Sequence, residues 1–378
     1  MLPSSVVNVL IDYRPALARR TGVGEYAHEL SAALARAAGP ADRVRLFTSS
    51  WTDRPDPGLR AWPRTEVVDR RVPVRVLNWA WHRLEAPPIE WLAGPSDIVQ
   101  SMHPLLLPTR SAHQAITIFD LDFLRHPERT TAEMRRDYPR LVADHARRAA
   151  LVVVISEDTA RAARTELGLP SSRLVLCRPG LPGWIGAPQA GPGTRDGYVL
   201  FMGTLEPRKN IGGLLDAWQL LVRARPSMPR LRLVGAARPE AGPWLDRLRV
   251  PPLAGTVEYA GYVDDRDRRS VYRGARLLVL PSWHEGFGLP ALEAMALGVP
   301  VVVSNRGALP EVVGDAGLQV APDDTRGLAE AIAAVLDSPE RAAGMVARGL
   351  ERAAGFTWDR AAASLRAAYA ALPPVAAR

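Results

Sequence analysis

Two glutamates eight residues apart, Glu285 and Glu293, flank a glycine-rich segment in the C-terminal half of the chain. Gly286 and Gly288 have no Cβ, so the backbone amides of this segment can approach a ligand closely. Pro290 suits the start of a helix, because it has no amide to satisfy there and its φ is already helical. A helix N-terminus behind such a loop attracts anions. The segment therefore predicts a site for a ligand that carries phosphate.

The two carboxylates indicate what else that ligand contains. Carboxylates repel phosphate, but they accept charge-assisted hydrogen bonds from the hydroxyls of a sugar or a ribose. Glu293 is expected in the first turn of the helix and Glu285 in the loop before it. The same residues would also fit a plain helix start, in which Glu293 favours the helix dipole and Glu285 is solvated.

Lys209 is the only lysine in a chain with 48 basic residues. Arginine fills the ordinary surface roles of this protein, and an ammonium differs from a guanidinium in being a compact point charge. Lys209 is therefore either a chance survival or a position that requires a compact cation.

Short apolar runs alternate with amphipathic helical patterns, and the series occurs twice. Apolar strands without strict polar alternation, each followed by a helix, are typical of parallel sheets covered on both faces. The predicted strands are 6–11, 43–48, 98–101, 115–119, 151–156, 198–202, 231–234, 257–259, 277–280 and 299–304. The predicted helices are 25–37, 131–148, 210–224, 266–274, 290–297, 325–337 and 358–372. The predicted fold class is α/β, with two doubly wound, Rossmann-like domains.

Length and composition favour two domains in a reducing compartment. A chain of 378 residues is more than one hydrophobic core usually serves, and the stretch 179–198, rich in glycine and proline, is the candidate linker. The single cysteine, Cys177, cannot form an internal disulfide, and no zinc-type spacing of Cys and His occurs. There is no signal-peptide pattern and no apolar run of roughly 20 residues. A cytoplasmic protein is predicted.

The formal charge of +8 is spread over both halves, without the basic arm expected of a nucleic-acid-binding protein. The excess is either a solvated, arginine-rich surface or an attraction to phosphate groups on a substrate or on anionic lipids. Peripheral contact with a membrane is one candidate role for a group of basic and aromatic residues, and a packed helix with solvated arginines is the other. The residues in question are Arg70, Arg71, Arg75, Arg83, Trp79 and Trp81.

Residues 281–296, PSWHEGFGLPALEAMA, resemble the E-x7-E motif of the retaining family-4 glycosyltransferases. Residues 203–210, GTLEPRKN, resemble the G-x-x-x-x-R-K-N segment of the same family, and the resemblance covers most of 150–340. It implies the GT-B fold, in which two Rossmann-like domains face each other across a cleft. The implied division is an acceptor-binding domain at 1–182, a linker at 183–197, a donor-binding domain at 198–357, and a C-terminal helix and tail at 358–378.

The resemblance also implies roles for single residues. Arg208 and Lys209 would clamp the diphosphate of a nucleotide-sugar donor, Glu285 would contact the donor sugar, and Glu293 would contact the ribose. The other donor-binding residues that it implies are Gly203, Gly235, Val263, Gly286, Phe287, Gly288 and Leu289.

The N-terminal half resembles mannosyltransferase-like members of the family at 12–14 (DYR) and 21–26 (TGVGEY). In this comparison the amides of Gly22 and Gly24 would face the donor phosphates. The run 22–27 also satisfies the G-x-G-x-x-A pattern of dinucleotide-binding proteins. That pattern needs a tight turn from strand to helix, whereas here ten residues intervene, so the dinucleotide interpretation is disfavoured.

Residues 117–124, TIFDLDFL, resemble the family's T-V-H-D-L-x-F-L strand end, whose histidine lies near the reacting sugar in many members. Phe119 stands at the histidine position, and Asp120 after it is predicted to be catalytic. His103 or His126 could lie nearby. Asp120 and Asp122 also match the metal-binding D-x-D of the other glycosyltransferase fold, but the doubled series of parallel strands argues against that fold. No metal and no cofactor are expected.

The predicted function is therefore the transfer of a hexose from a nucleotide-sugar to a glycan or lipid-linked acceptor in polysaccharide biosynthesis, with retention and without a metal. Mannose from GDP-mannose is favoured as the donor sugar, while UDP- and dTDP-sugars stay open. Two alternatives remain: a nucleotide-sugar epimerase, which would turn over the donor alone, and a non-catalytic protein that binds sugar nucleotides.

Overall fold

The structure, a computed structural model, describes residues 7–17, 22–129, 132–188, 197–225 and 227–375, with the backbone alone for 129 and 132–137. The chain divides into two compact units. The N-terminal unit comprises the residues up to Gly180 together with those from Thr357 onwards, and the C-terminal unit is Leu181–Phe356. Part of the predicted linker, 189–196, lies outside the described residues.

The N-terminal unit is built on a parallel sheet of seven strands. These are β1 (Asn8–Asp12), β2 (Arg43–Ser49), β3 (Thr65–Arg70), β4 (Ile98–Gln100), β5 (His113–Ile118), β6 (Leu151–Val154) and β7 (Leu174–Leu176). Their order across the sheet is β3-β2-β1-β4-β5-β6-β7. The helices of this half of the chain are α1 (Gly22–Ala37), α2 (Val74–Leu84), α3 (Ile89–Ala93), α4 (Asp122–Arg125), α5 (Ala132–Arg148) and α6 (Glu157–Leu167).

Apolar side chains cover both faces of this sheet. Leu10 and Phe47 pack with Trp81 of α2 on one face, and the alternate residues Ile11 and Leu46, which point to the other face, are also fully buried. Strands buried on both faces have near-continuous apolar sequences, and this explains why the strand pattern was legible in the sequence.

The C-terminal unit repeats this plan with six parallel strands in the order β10-β9-β8-β11-β12-β13. The strands are β8 (Tyr198–Met202), β9 (Leu231–Val234), β10 (Val257–Gly261), β11 (Ala275–Leu280), β12 (Val301–Ser304) and β13 (Leu318–Val320). The helices are α7 (Ile211–Ala224), α8 (Gly242–Arg247), α9 (Asp265–Arg273), α10 (Leu289–Ala296), α11 (Leu309–Val313), α12 (Thr325–Asp337) and α13 (Pro339–Ala354).

The last helix, α14 (Trp358–Ala370), belongs to the N-terminal unit. Its Trp358 packs edge-on against Tyr26 of α1, with the ring centroids 5.4 Å apart. The Tyr369 hydroxyl donates a hydrogen bond of 2.8 Å to the Gln100 side chain at the end of β4. The chain therefore crosses between the units twice, and the C-terminal helix completes the core of the unit in which the chain began.

The predicted fold class, two doubly wound α/β units, is confirmed. Several elements were missing from the prediction, among them β3, β7, β13, α2, α6 and α13. Helix α13 contains two glycines, which lower helix propensity. The structure supplies a reason for one of them: a Cβ on Gly349 would lie 3.3 Å from the side chain of Met295, where α13 packs on α10.

No helix in the described ranges combines the length and the apolar character needed to cross a membrane.

Candidate functional site

The strand order of the C-terminal sheet reverses between β8 and β11. The chain runs outward from β8 through β9 to β10 on one side, and from β11 through β12 to β13 on the other. In open parallel sheets, ligands bind outside the carboxyl ends of the strands at such a switch point. The segment 203–210 follows β8 and the segment 281–296 follows β11, so the fold brings the two strongest sequence motifs to this place.

The switch point holds an ion pair between Lys209 and Glu285. The Lys209 ammonium donates to both carboxylate oxygens, at 2.6 Å to Oε1 and 2.7 Å to Oε2. The Ser282 hydroxyl donates a third hydrogen bond, of 2.7 Å, to Oε1. The Lys209 side chain is 12% exposed and the Glu285 side chain 8%. The lone lysine is therefore a partly buried cation whose compact head group fits over one carboxylate.

Burial raises the pKa of Glu285, but the charges of Lys209 and Arg208 and the hydrogen bonds from Lys209 and Ser282 outweigh it and lower the pKa to about 2. The carboxylate is therefore ionised at neutral pH. A diphosphate that drew Lys209 toward itself would release Glu285 oxygens to accept hydrogen bonds from other groups.

Arg208 lies beside this pair and is fixed by three contacts. Its guanidinium donates to the Glu206 carboxylate at 3.1 Å and to the His284 carbonyl at 3.2 Å, and it lies 3.8 Å from Glu285 Oε2. Glu206 also forms an ion pair with Arg238, at 3.2 Å. Sequence reasoning missed both Glu206 and Arg238. The only feature of the sequence that could have pointed to Glu206 was its place in the GTLEPRKN segment. No feature of the sequence pointed to Arg238.

Asn210, the residue after Lys209, ties together the loops that carry the ion pair. Asn210 has a φ of +57°, a left-handed conformation that asparagine tolerates better than most residues, and its side chain accepts from the Gly213 amide at the start of α7. The same side chain donates to the carbonyls of Pro281 and Pro322. One buried amide thus ties the loop after β8 to the loop after β11.

Two glycine positions bring backbone segments into close contact at this edge of the sheet. A Cβ on Gly235, after β9, would lie 2.0 Å from the carbonyl oxygen of Gly203, after β8. A Cβ on Gly307, after β12, would lie 2.6 Å from the carbonyl oxygen of Glu285. Both glycines have positive φ, so a side chain is excluded by space and by conformation. Gly203 and Gly235 were predicted site residues, whereas Gly307 was not.

Glu293 has other partners than the Lys209–Glu285 pair. Its Oε2 accepts a hydrogen bond of 2.5 Å from the Tyr272 hydroxyl, and its Oε1 lies 3.8 Å from the Arg268 guanidinium. Burial raises its pKa, against the opposing effects of Arg268 and Tyr272. Glu293 is the fifth residue of α10, so the expectation that it lies in the first helical turn was wrong. The helix begins one residue before Pro290.

The comparisons with known proteins agree with this geometry. The family model described as Glycosyl transferases group 1 matches residues 196–338. Over 92% of its length the chain is 32% identical to the O-antigen chain mannosyltransferase B of Escherichia coli, and it covers 96% of that protein. The chain belongs to the group 1 glycosyltransferases.

Solved structures of other proteins give the fold of this group 1 glycosyltransferase. Sucrose-phosphate synthase from Thermosynechococcus elongatus is similar with a TM-score of 0.73 at 23% identity, over 94% of this chain and 96% of that one. WaaG, a glycosyltransferase involved in lipopolysaccharide biosynthesis, is similar with a TM-score of 0.70 at 15% identity, over 95% and 98% of the two chains. The fold is GT-B.

The remaining predicted donor-binding residues of this glycosyltransferase lie in the loops after β10 and β11. Val263 follows β10 and is half-buried. Phe287 is only 4% exposed and packs edge-on against Phe356, so its side chain belongs to the core and only its backbone faces the loop. Gly288 caps α10 with a φ of +104°, between buried Gly286 and half-buried Leu289.

The predicted site residues Gly22, Gly24 and Asp120 belong to the N-terminal unit. Gly22 begins α1, and a Cβ on Gly24 would lie 2.7 Å from the Pro15 carbonyl oxygen, so packing alone already requires glycine there. Asp120 follows β5 and accepts from the amide of Asp122. Phe119, at the position of the family's histidine, is half-buried and packs edge-on against Tyr26.

Neither histidine that was considered as a replacement is fixed toward Phe119. His103 is bonded to Asp12 at 3.1 Å, and His126 is bonded to Glu128 at 3.2 Å. Within the described chain, no group of three or more His, Cys, Asp or Glu side chains is arranged to hold a metal ion.

Proposed function

We propose that this glycosyltransferase moves a hexose, with mannose favoured, from a nucleotide-sugar to a glycan or lipid-linked acceptor, with retention of configuration and without a metal ion. The observation that carries the proposal is the buried Lys209–Glu285 pair at the switch point of the C-terminal sheet, with Arg208 beside it. In this proposal, the two cations offer positive charge to a diphosphate leaving group, and the carboxylate offers a hydrogen-bond acceptor to the sugar.

The proposed reaction uses these groups electrostatically. As the bond between the anomeric carbon and the phosphate oxygen breaks, Lys209 and Arg208 stabilise the negative charge on the departing diphosphate, as a metal ion does in other enzymes. The acceptor oxygen forms its bond to the anomeric carbon on the same face, and its proton passes to the departing phosphate oxygen. Glu285 orients the sugar through its hydroxyls. No protein base is required, which is compatible with Phe119 at the histidine position.

Similarity to the mannosyltransferase of Escherichia coli supports mannose as the sugar and a growing glycan as the acceptor. Within the proposal, residues 1–182 bind the acceptor, and residues 198–357 bind the donor through Gly203, Gly235, Val263 and the loop 286–289. Gly22 and Gly24 assist at the phosphates, and Asp120 acts near the reacting sugar.

The test is a thermal-shift screen of the purified protein against GDP-mannose, UDP-glucose, UDP-GlcNAc, dTDP-rhamnose and the matching nucleoside diphosphates, with and without EDTA. Stabilisation by one nucleotide series, unchanged by EDTA, is the expected result, because a ligand that binds only the folded state raises the melting temperature. Stabilisation that EDTA abolishes would contradict the metal-independent mechanism.

A second assay separates the alternatives. Incubation of the identified donor alone should release sugar and diphosphate only slowly, and a saccharide acceptor should accelerate the release. Conversion of the donor sugar into its epimer without an acceptor would support an epimerase instead. Binding without any turnover, across acceptors of several classes, would support the non-catalytic alternative.

We further propose that the protein works in the cytoplasm and contacts the inner face of the membrane through α2. This helix carries no acidic residue, and Val76 and Trp79 on it are 55% and 60% exposed beside exposed Arg75 and Arg83. Exposed tryptophan and arginine on one helix suit the interface of an anionic bilayer. Trp81, named with this group in the sequence, does not take part: it is 2% exposed, and the Arg14 guanidinium lies 4.7 Å from its ring centroid.

Co-sedimentation with vesicles tests this surface. The protein should bind vesicles that contain phosphatidylglycerol more strongly than vesicles of phosphatidylcholine alone, and Trp79→Ala should weaken that binding severalfold. Val250→Ala, which removes an exposed apolar side chain (59%) from the C-terminal unit, is the matched control and should have no effect. Equal binding of wild type and Trp79→Ala to anionic vesicles would exclude α2 as the contact.

A further inference from the structure

Tyr272 is a fully buried tyrosine whose hydroxyl is directed at one of the two motif glutamates. It lies in α9, and its hydroxyl donates a hydrogen bond of 2.5 Å to Glu293 Oε2. Glu293 itself is only 4% exposed. A buried carboxylate needs such donors, because burial without them penalises the ionised form.

The surroundings of Tyr272 fix its ring. The indole of Trp184 stacks nearly parallel to it, with the ring centroids 6.3 Å apart and an interplanar angle of 18°. One helical turn before Tyr272, the Arg268 guanidinium lies 5.5 Å from the Trp184 ring centroid and 3.8 Å from Glu293 Oε1. The hydroxyl direction is therefore set by packing on the ring, and not by a flexible chain.

The two oxygens of Glu293 differ in what they contact. Oε2 is occupied by Tyr272, whereas Oε1 accepts no hydrogen bond from the described part of the chain and has Arg268 beyond hydrogen-bond distance. A carboxylate whose one oxygen already accepts a hydrogen bond can accept a further one at its other oxygen. That capacity suits a neutral donor group such as a hydroxyl.

We propose that Tyr272 is a positioning residue, which clamps Oε2 of Glu293 so that Oε1 accepts a hydrogen bond from the ribose of the bound nucleotide. This rests on the proposed function, because that function supplies the nucleotide. Tyr272 does not touch the ligand; it acts through Glu293. Arg268 keeps a positive charge beside the carboxylate without occupying Oε1.

The test measures binding by calorimetry with GDP, UDP and dTDP, each paired with its 2′,3′-dideoxy analogue. For the base that binds, wild type should prefer the hydroxylated nucleotide roughly tenfold to a hundredfold, the scale of one hydrogen bond to a charged group. Tyr272→Phe should weaken binding of the hydroxylated nucleotide by a similar factor and change binding of the dideoxy analogue less than twofold. The double variant Tyr272→Phe/Glu293→Gln should lose little more than Glu293→Gln alone.

Tyr198→Phe is the matched control. In wild type the Tyr198 hydroxyl donates a hydrogen bond of 2.6 Å to the backbone carbonyl of Val271, the neighbour of Tyr272 in α9. The substitution therefore removes a comparable contact from the same helix. It should leave the preference for the ribose hydroxyls unchanged even where it lowers the melting temperature.

Four results would overturn the inference. Equal weakening of both nucleotides by Tyr272→Phe would mean that the hydroxyl only supports the fold. Unchanged affinities for both nucleotides in Tyr272→Phe would mean that Glu293 needs no clamp. If wild type binds none of the three diphosphates, the proposed function fails first and the inference fails with it, whereas binding without discrimination overturns the inference alone.

Discussion

Both sheets carry an ion pair at the point where the strand order reverses, but Lys209 and Arg208 in the C-terminal sheet are more exposed than Arg14 in the N-terminal one. In the N-terminal sheet the order reverses between β1 and β4, where Asp12 ends β1, Arg14 follows it, and His103 follows β4. In the C-terminal sheet the corresponding place holds Lys209 and Glu285. The two groups occupy the same position in their sheets, but the hydrogen-bond donors of their cations have different partners.

The N-terminal group is held together by contacts within its own unit. Arg14 donates two hydrogen bonds of 2.7 Å to Asp12, one to each oxygen, and a third of 3.0 Å to Asn78. His103 holds Asp12 with Nε2, while its Nδ1 accepts from the Leu105 amide, so both ring nitrogens are engaged. Burial raises the pKa of Asp12, but the charge and hydrogen bonds of Arg14 and His103 more than reverse this and hold the pKa far below its usual range.

The cations of the C-terminal group are more exposed than Arg14. The Lys209 ammonium has three donors and gives two to Glu285, while the Arg208 side chain, 24% exposed, is four times as exposed as that of Arg14 at 6%. Arg14 pairs with a carboxylate two residues away, whereas Lys209 pairs with one 76 residues away. The N-terminal group is therefore a buried brace, whereas the C-terminal group keeps cations that a ligand can approach.

The largest expected effect is on the brace. Arg14→Ala leaves Asp12 buried with His103 as its only remaining side-chain partner among the described residues, and we expect it to destabilise the N-terminal unit by about 3–5 kcal/mol. Urea unfolding followed by hydrogen exchange of peptides from each unit would locate the loss. Arg36→Ala, which breaks an ion pair with Asp359 that is exposed on both sides, should cost less than about 1 kcal/mol. Similar losses in the two variants would refute the distinction between a buried brace and a surface pair.

The next largest effect is expected on turnover, in variants of Lys209 and Glu285. Lys209→Ala and Glu285→Ala should each lower kcat/KM for transfer at least roughly a hundredfold in folded protein, on the scale of one lost electrostatic contact to the developing charge. Arg225→Ala, which removes the exposed ion pair with Asp337 in the same unit, should stay within about twofold of wild type. A near-normal rate in either site variant, with circular dichroism unchanged, would remove that residue from the mechanism.

The last expected effect appears only in acid, as the dependence of stability on pH through Glu285. Its pKa is about 2 in the folded protein against an ordinary 4.5, so the unfolded chain binds this proton more readily. Its contribution to the free energy of unfolding should be complete above pH 4.5 and should disappear as the pH falls toward 2. Urea titrations of wild type and Glu285→Gln across this range, with hydrogen exchange reporting on the C-terminal unit, should converge at low pH. Parallel curves would show that the pair with Lys209 does not stabilise the fold.

The sequence alone determined the fold class, the presence of two parallel sheets and the segments that meet at the C-terminal switch point. It could do so because strands buried on both faces are continuously apolar, and because glycine, proline and paired charges have strong local preferences. Lys209 was conspicuous as the only lysine, and Glu285 by its place in the glycine-rich motif. These features are local, so they can be recognised from the sequence alone.

Only the tertiary structure decided which side chains touch. The contacts of Lys209 with Glu285 and of Tyr272 with Glu293 join segments that are distant in the sequence. The contact of Glu206 with Arg208 depends on a local turn instead. The exposed-looking Trp81 proved to be core, because the helical period of α2 turns it inward while Trp79 turns outward. The return of α14 to the N-terminal unit had no local signature either. Contacts between distant segments depend on the complete arrangement of the chain, and no single stretch of sequence encodes them.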